Sequence, residues 1–307
     1  RDVVAYSPHL PEGFGDALRY LCVDRVSGQR VERFLHYPLR ERVARVQAAA
    51  VPVRDVVGCL LSNELLDAFP VHVVEVRDGR LQEVYVTLLG GCLAEVLDHP
   101  STPALARRLA ELDVALAEGW VEEVARAVAR GFVVTVDYGD VAPRLYSPRR
   151  RRGTLTAYYR HTQVTNPYQR VGRQDLTAFV DFTTLGQVGL HFRLEPLGLT
   201  TQGEFLRRLG LFQWLHRLRE LGLSRREVEA NRAGMLALVR RGGLGEFKVL
   251  VQGKEVDVPS LWGLGEHDGY LQELVARLPV PLLTPEHLPL AAARYPAFEA
   301  DLERLLP

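Results

Sequence analysis

Lysine is nearly missing from this sequence: of 38 basic residues only Lys248 and Lys254 are lysines. That bias reads as genome composition and supports no functional claim. An excess of either charge is missing as well, since 38 acidic residues balance the 38 basic ones. No global field therefore draws the chain to nucleic acid or anionic lipid, and a polyanion is not the expected partner. No apolar run reaches the roughly 18 residues of a membrane span. Cysteine is scarce, and Cys22, Cys59 and Cys92 lie far apart with no Cys-x-x-Cys spacing, so buried free thiols in a reducing compartment are expected. The histidines form no His-Glu-x-x-His or His-x-x-x-His pattern, which leaves a metal site without support. Arg1-Asp2-Val3-Val4 shows no secretory or transit character, and a cytoplasmic setting is the expectation.

What is present is a globular composition, 47% apolar and 25% charged, which argues against disorder or a fibre. Helical and strand-like segments alternate along the 307 residues, favouring one elaborated α/β domain. Tyr20 to Val23 reads as a short strand ended by Asp24, and Val43 to Val46 as a strand-like patch within the mostly helical stretch 30 to 50. Val56 to Leu61 is a continuous apolar run, the mark of a strand buried on both faces of a parallel sheet. Val71 to Val76 and Leu81 to Leu88 alternate about Asp78-Gly79 and predict an antiparallel ribbon, a candidate dimer or substrate arm. Apolar spacing from Thr102 to Arg130 predicts a helix with Gly131 as its C-cap, followed by a strand at Phe132 to Val136.

The Pro- and Arg-rich stretch 141 to 154, including Arg149 to Arg152, reads as a solvated loop. Beyond it come a helix at Leu176 to Val188, a strand at Leu190 to Leu197, amphipathic helices at Gln202 to Leu221 and Arg225 to Arg241, and a strand at Phe247 to Val251. Residues 252 to 307 form an extension without assigned role, with helical pieces near Tyr270 to Leu278 and Pro296 to Leu306. Strands that end in polar clusters imply a mostly parallel sheet whose ligands bind beyond the carboxyl ends of the strands. Asp24, Ser62 to Asp67 and Asp137 to Gly139 would share that rim.

Four features could carry chemistry. Asp24, at a strand end, suits hydrogen bonding to both hydroxyls of an adenosyl ribose; a capping or solvated aspartate is the alternative. Gln47 could offer its amide to an adenine edge, or simply be solvated. In Ser62-Asn63-Glu64-Leu65-Leu66-Asp67-Ala68-Phe69-Pro70-Val71, Glu64 and Asp67 are three apart, and a helical turn would set both carboxylates on one face. Two such anions can grip a guanidinium bidentately and aim its nitrogen. The alternative is that Asn63 and Asp67 only turn the chain. His161 is a candidate for orienting the acceptor or moving a proton, or for a structural hydrogen bond.

SNELLDAFPV resembles the Asn-Glu…Asp-Ala…Pro-Val signature of the MidA-like methyltransferases. Tyr158-Tyr159-Arg160-His161, Asp175-Leu176-Thr177, Val180-Asp181-Phe182, Gln202-Gly203-x-Phe205-Leu206 and Gly245-x-Phe247-Lys248-Val249-Leu250 resemble further segments of that family, in order. The similarity spans about Tyr20 to Val251. It implies a class I, Rossmann-like S-adenosylmethionine-dependent methyltransferase with a ribbon insertion near 71 to 88 and a helical one near 102 to 130. The implied cofactor is S-adenosyl-L-methionine and the implied acceptor a protein arginine, since the mitochondrial members methylate one and assist complex I assembly. Asp24, Gln47 and Asn63 are then expected at the cofactor, Glu64, Asp67 and His161 in catalysis, and Asp137, Tyr138 and Gly139 at the acceptor. One departure stands out. The family's Glu-Leu-Gly-x-Gly-x-Gly loop has no counterpart before Tyr20, and Gly13 and Gly15 are a poor substitute. Either that stretch lies outside this chain, or the cofactor site is lost and the protein is a non-catalytic assembly factor. A dinucleotide-dependent oxidoreductase is a third reading, disfavoured because Asn-Glu-x-x-Asp suits a cationic acceptor.

Overall fold

The computed structural model describes residues 2–25, 41–103, 105, 118–150, 153–160, 162–257, 260–265 and 269–282. The expected helices within 26–40 and 106–117, His161, Arg151, Arg152 and the piece at 296–306 lie outside the described residues. The chain divides into two compact units, one from 1–53, 203–245 and 260–307, the other from 54–202 and 246–259.

In the first unit, β1 (Tyr20–Asp24) and β2 (Val43–Gln47) pair in parallel, with Asp24 opposite Gln47. The helices Gln202–Arg208 and Leu211–Arg217 are two where the spacing predicts one, because Gly210 adopts φ +89 between them. Arg225–Leu238 follows, opened by a capping box in which Ser224 and Glu227 satisfy each other's backbone N–H. Leu211, Leu218, Met235, Val239 and Val280 form the core that these helices share.

The second unit is built on a four-stranded sheet in the order β13 (Glu195–Thr201), β14 (Lys248–Lys254), β7 (Val128–Asp137), β3 (Val56–Asn63). β3 runs parallel to β7, whereas β14 runs antiparallel to both its neighbours. The sheet is thus mixed, and the expected parallel character holds for β1–β2, β3–β7 and the short pair β8 (Gly139–Asp140) with β12 (Val180–Asp181). The expected burial of Val56 to Leu61 on both faces is corrected. Among the described residues β3 is the edge of its sheet, and Val57 and Leu61 are 66% and 59% exposed. The apolar run reflects one covered face and one open one. The thiols are free, yet Cys59 on that open face and Cys92 are exposed, against expectation.

Gly131 is not a helix cap. The helix Glu118–Ala127 stops before it, and Gly131 lies inside β7 at φ +139, where a Cβ would stand 1.9 Å from the carbonyl oxygen of Gly58. Glycine is required there because β3 and β7 approach closely. The expected helix at Leu176 to Val188 begins later, at Phe182–His191, after the short strands β11 (Asp175–Thr177) and β12. Asp181 sets that start by accepting the N–H groups of Thr183 and Thr184. The same helix takes up Leu190 and delays β13 to Glu195.

The predicted ribbon is a three-stranded antiparallel sheet, β4 (Val74–Arg77), β5 (Arg80–Leu89) and β6 (Cys92–Asp98). Asp78 and Gly79 have positive φ, and so do Gly90 and Gly91, which turn the unpredicted third strand. A second small sheet, β10 (Thr162–Val164), β9 (Thr156–Tyr159) and β11, carries Tyr158 and Tyr159. Among the described residues no helix is long and apolar enough to cross a membrane.

Candidate functional site

In the second unit the parallel pair β3–β7 brings two polar clusters to one end. Register sets Asn63 opposite Val136, and Glu64 N–H donates to the Val136 carbonyl at 3.0 Å, so the chain leaves β3 directly beside Asp137. Glu64 itself has φ +47, a left-handed backbone uncommon for a side chain of its size. Residues 64 to 67 form an irregular turn, and the expected helical turn is corrected accordingly.

Asp137 shapes that turn. Its side chain is fully buried, and one oxygen, Oδ2, accepts from the N–H groups of Leu65, Leu66 and Asp67 at 3.1, 2.9 and 3.4 Å. The other, Oδ1, accepts from Tyr138 N–H at 2.8 Å. Burial, then the charge of Asp67, push the carboxyl up to about 6 against the lowering effect of those donors. Asp137 is consequently a builder of the site, with no surface of its own to offer an acceptor. Asp67 is 6% exposed, and burial followed by the charge of Glu64 raises its carboxyl above the usual range. Its carbonyl accepts Ala178 N–H at 2.9 Å, tying the turn to the segment after β11. Glu64 is exposed, and Asn63 Nδ2 approaches its Oε1 at 3.4 Å.

Tyr138 packs its ring on Phe247 at 3.9 Å between centroids. Burial, then Glu64, Tyr158, Asp67 and Asp137, raise its phenol, which stays protonated and able to donate. Tyr158, on β9, is therefore part of this neighbourhood, although the reading of the sequence gave it no role; its signal was the Tyr-x-x-His segment. Gly139 serves packing: a Cβ there would lie 2.1 Å from the Val180 carbonyl oxygen and 2.7 Å from the Phe182 ring. Ser62 and Thr135 face each other across β3 and β7, buried at 6% and 0%, and their hydroxyls find no partner among the described residues.

The match that decides the family covers residues 29–200, more than half the chain, and the family is described as "Putative S-adenosyl-L-methionine-dependent methyltransferase". The chain belongs to this family. Two solved structures from Burkholderia thailandensis are similar to this methyltransferase-family chain. One, an uncharacterized protein, is 28% identical with a TM-score of 0.70 over 80% of this chain and 68% of its own. The other, described as a "likely methyl transferase" of the same superfamily bound to S-adenosyl-homocysteine, is 27% identical with a TM-score of 0.68 over 80% of this chain and 66% of its own. The chain thus spans about two thirds of each. No curated protein matches it.

S-Adenosyl-L-methionine is the cofactor of this family. In the first unit, Asp24 and Gln47 are cross-strand neighbours at the carboxyl ends of a parallel pair, which fits a nucleoside. Asp24 is half exposed with Arg45 Nη2 at 3.7 Å, and Gln47 Nε2 donates to the Arg25 carbonyl at 3.1 Å. Gly13 caps the short helix Phe14–Ala17 and Gly15 packs on Ser7, and both line a cavity of about 290 Å³ together with Glu12, Asp16 and Arg42. Among the described residues a Gly-x-Gly-x-Gly loop is not found.

Proposed function

We propose that this chain is an S-adenosyl-L-methionine-dependent methyltransferase whose acceptor is a protein arginine side chain. The observation that supports it most is the pairing of an exposed carboxylate, Glu64, with a buried one, Asp67, on one turn beside the phenol of Tyr138. When bound, the cofactor supplies a methyl group on a sulfonium, already a strong electrophile. Asp24 and Gln47 would meet its ribose and adenine.

The chain's own contribution is mainly positioning. Glu64 would take the guanidinium first, by charge-assisted hydrogen bonds, and Asp67 would hold its second edge. Methylation of a guanidinium releases a proton. Asp67 Oδ can hold it, because burial and the neighbouring Glu64 charge already favour its protonated form. Tyr138 would wall the side chain, its ring kept in place by Phe247. A cytoplasmic setting, and a part in assembling a respiratory complex, belong to the same proposal and rest on the resemblance to the MidA-like family.

The test is transfer of labelled methyl groups to protein in a cell extract, with acid hydrolysis to identify the modified residue. Glu64→Gln should cut turnover by about 100-fold or more while cofactor affinity changes little. Normal turnover in that variant would remove Glu64 from the reaction. Label found on a residue other than arginine would overturn the acceptor assignment.

A further inference from the structure

We infer that Asp137 is a positioning residue for the acceptor carboxylates: its buried side chain, reaching across from β7, fixes the backbone that carries Glu64 and Asp67. The inference rests on the reading of those two as the groups that grip the acceptor. The geometry is specific. Three consecutive N–H groups, of Leu65, Leu66 and Asp67, converge on a single oxygen, and Tyr138 N–H closes the other side of the carboxylate. Three N–H groups in succession make a concave anion site, and here the anion is an internal side chain.

The turn's other end is held where the Asp67 carbonyl accepts Ala178 N–H at 2.9 Å. Residues 64 to 67 belong to no helix or strand, Glu64 sits in a left-handed conformation, and Phe69 N–H to the Leu66 carbonyl at 3.1 Å is an ordinary turn contact. A left-handed glutamate costs on the order of 1 kcal/mol and persists only where surrounding contacts hold it. Glu64 N–H on Val136 at one end and the Asp137 carboxylate in the middle supply those contacts. Without the carboxylate, four donors, two of them buried and two part-buried, lose their acceptor, and the turn would rearrange towards solvent or water.

Among the described residues the charge that acts on Asp137 is that of Asp67, itself beside Glu64; the Tyr138 phenol, which feels Asp137, Glu64 and Tyr158, and Lys248, the cross-strand neighbour of Asp137 on β14, complete the surroundings. Lys248 is buried and extends its Nζ to within 3.9 Å of Asp140 Oδ1. Protonating Asp137 would put a donor among N–H groups already aimed at the carboxylate, so acid should loosen the turn.

Asp137→Asn, of equal size, decides the matter. Amide hydrogen exchange in the full chain should show faster exchange at Leu65, Leu66 and Asp67, with Val133 to Val136 of β7 still protected. Methyl transfer to the cell extract should fall about 100-fold with S-adenosyl-homocysteine affinity, read by calorimetry, unchanged. The acid limb of the wild-type rate profile, near pH 6, should move in the variant, which has lost the Asp137 carboxyl and keeps those of the turn itself. Undiminished protection at the three amides would overturn the inference. So would lost protection with normal turnover. If Glu64→Gln is fully active while Asp137→Asn still releases the amides, the acceptor reading fails and the positioning of the turn stands. Should Asp137→Asn not fold, the wild-type chain decides: lowering pH through about 6 should reversibly speed exchange at the same three amides beyond the intrinsic rate, and a flat response would overturn the inference.

Discussion

Gly139 illustrates how closely packed the neighbourhood of the site is. A methyl group there would meet the Val180 carbonyl at 2.1 Å and the ring of Phe182, neither of which is the free end of a flexible side chain. Gly139→Ala should therefore destabilise the protein by about 1–3 kcal/mol, measured as a lowered urea midpoint. An unchanged midpoint would show that β8 and β12 can separate at little cost. At this scale the sequence was legible in its residue types and less so in their geometry. Asn63, Glu64, Asp67, Asp137 and Tyr138 were all picked out, and the second unit gathers them at one strand end. That Asp137 is buried and serves the turn could not be read, because its partners are some seventy positions earlier and are backbone N–H groups, which leave no trace in side-chain identity. Gly131 differs from expectation for a related reason. A glycine that follows a helical pattern looks like a cap, and the close approach to Gly58 is visible only across strands.

Among the elements, the inserted sheet β4–β5–β6 holds its own polar knot. Glu83 is buried, and it accepts from His72 at 2.5 Å, from Tyr85 OH at 3.2 Å and from Ser101 N–H at 2.6 Å. Burial works to raise its carboxyl, but the hydrogen bonds from His72 and Ser101 and the His72 charge outweigh it and hold the group at about 2. Its folded value lies below the ordinary 4.5, so its contribution to stability is full above about pH 4.5 and is lost as pH falls towards 2. Wild type should lose more stability across that window than Glu83→Gln, as followed by urea unfolding at a series of pH values; parallel curves would deny Glu83 the role. The ribbon was legible because Asp78-Gly79 between alternating runs is a strong local signal, and Gly90-Gly91 carried the same signal for β6 unread. The helix at Phe182–His191 was displaced because apolar spacing alone does not reveal that Asp181 caps it.

For the molecule as a whole, the family and the α/β architecture were legible through ordered motifs, while the mixed direction of the sheet was not, since an apolar strand reads alike in either direction. A ligand that binds only the folded chain raises its stability by mass action. S-Adenosyl-homocysteine at 100 times its dissociation constant should add about 2.7 kcal/mol and raise the unfolding temperature measurably. No shift at millimolar ligand would favour an assembly factor that has kept the architecture without the cofactor. The division of labour around Asp137 also has a consequence for redesign. The track on which Glu64 and Asp67 ride is anchored through backbone N–H groups by atoms from another strand. On the proposed reading, the exposed Glu64 is the position whose chemistry can be exchanged, for instance to welcome a neutral acceptor, without dismantling the scaffold that aims it.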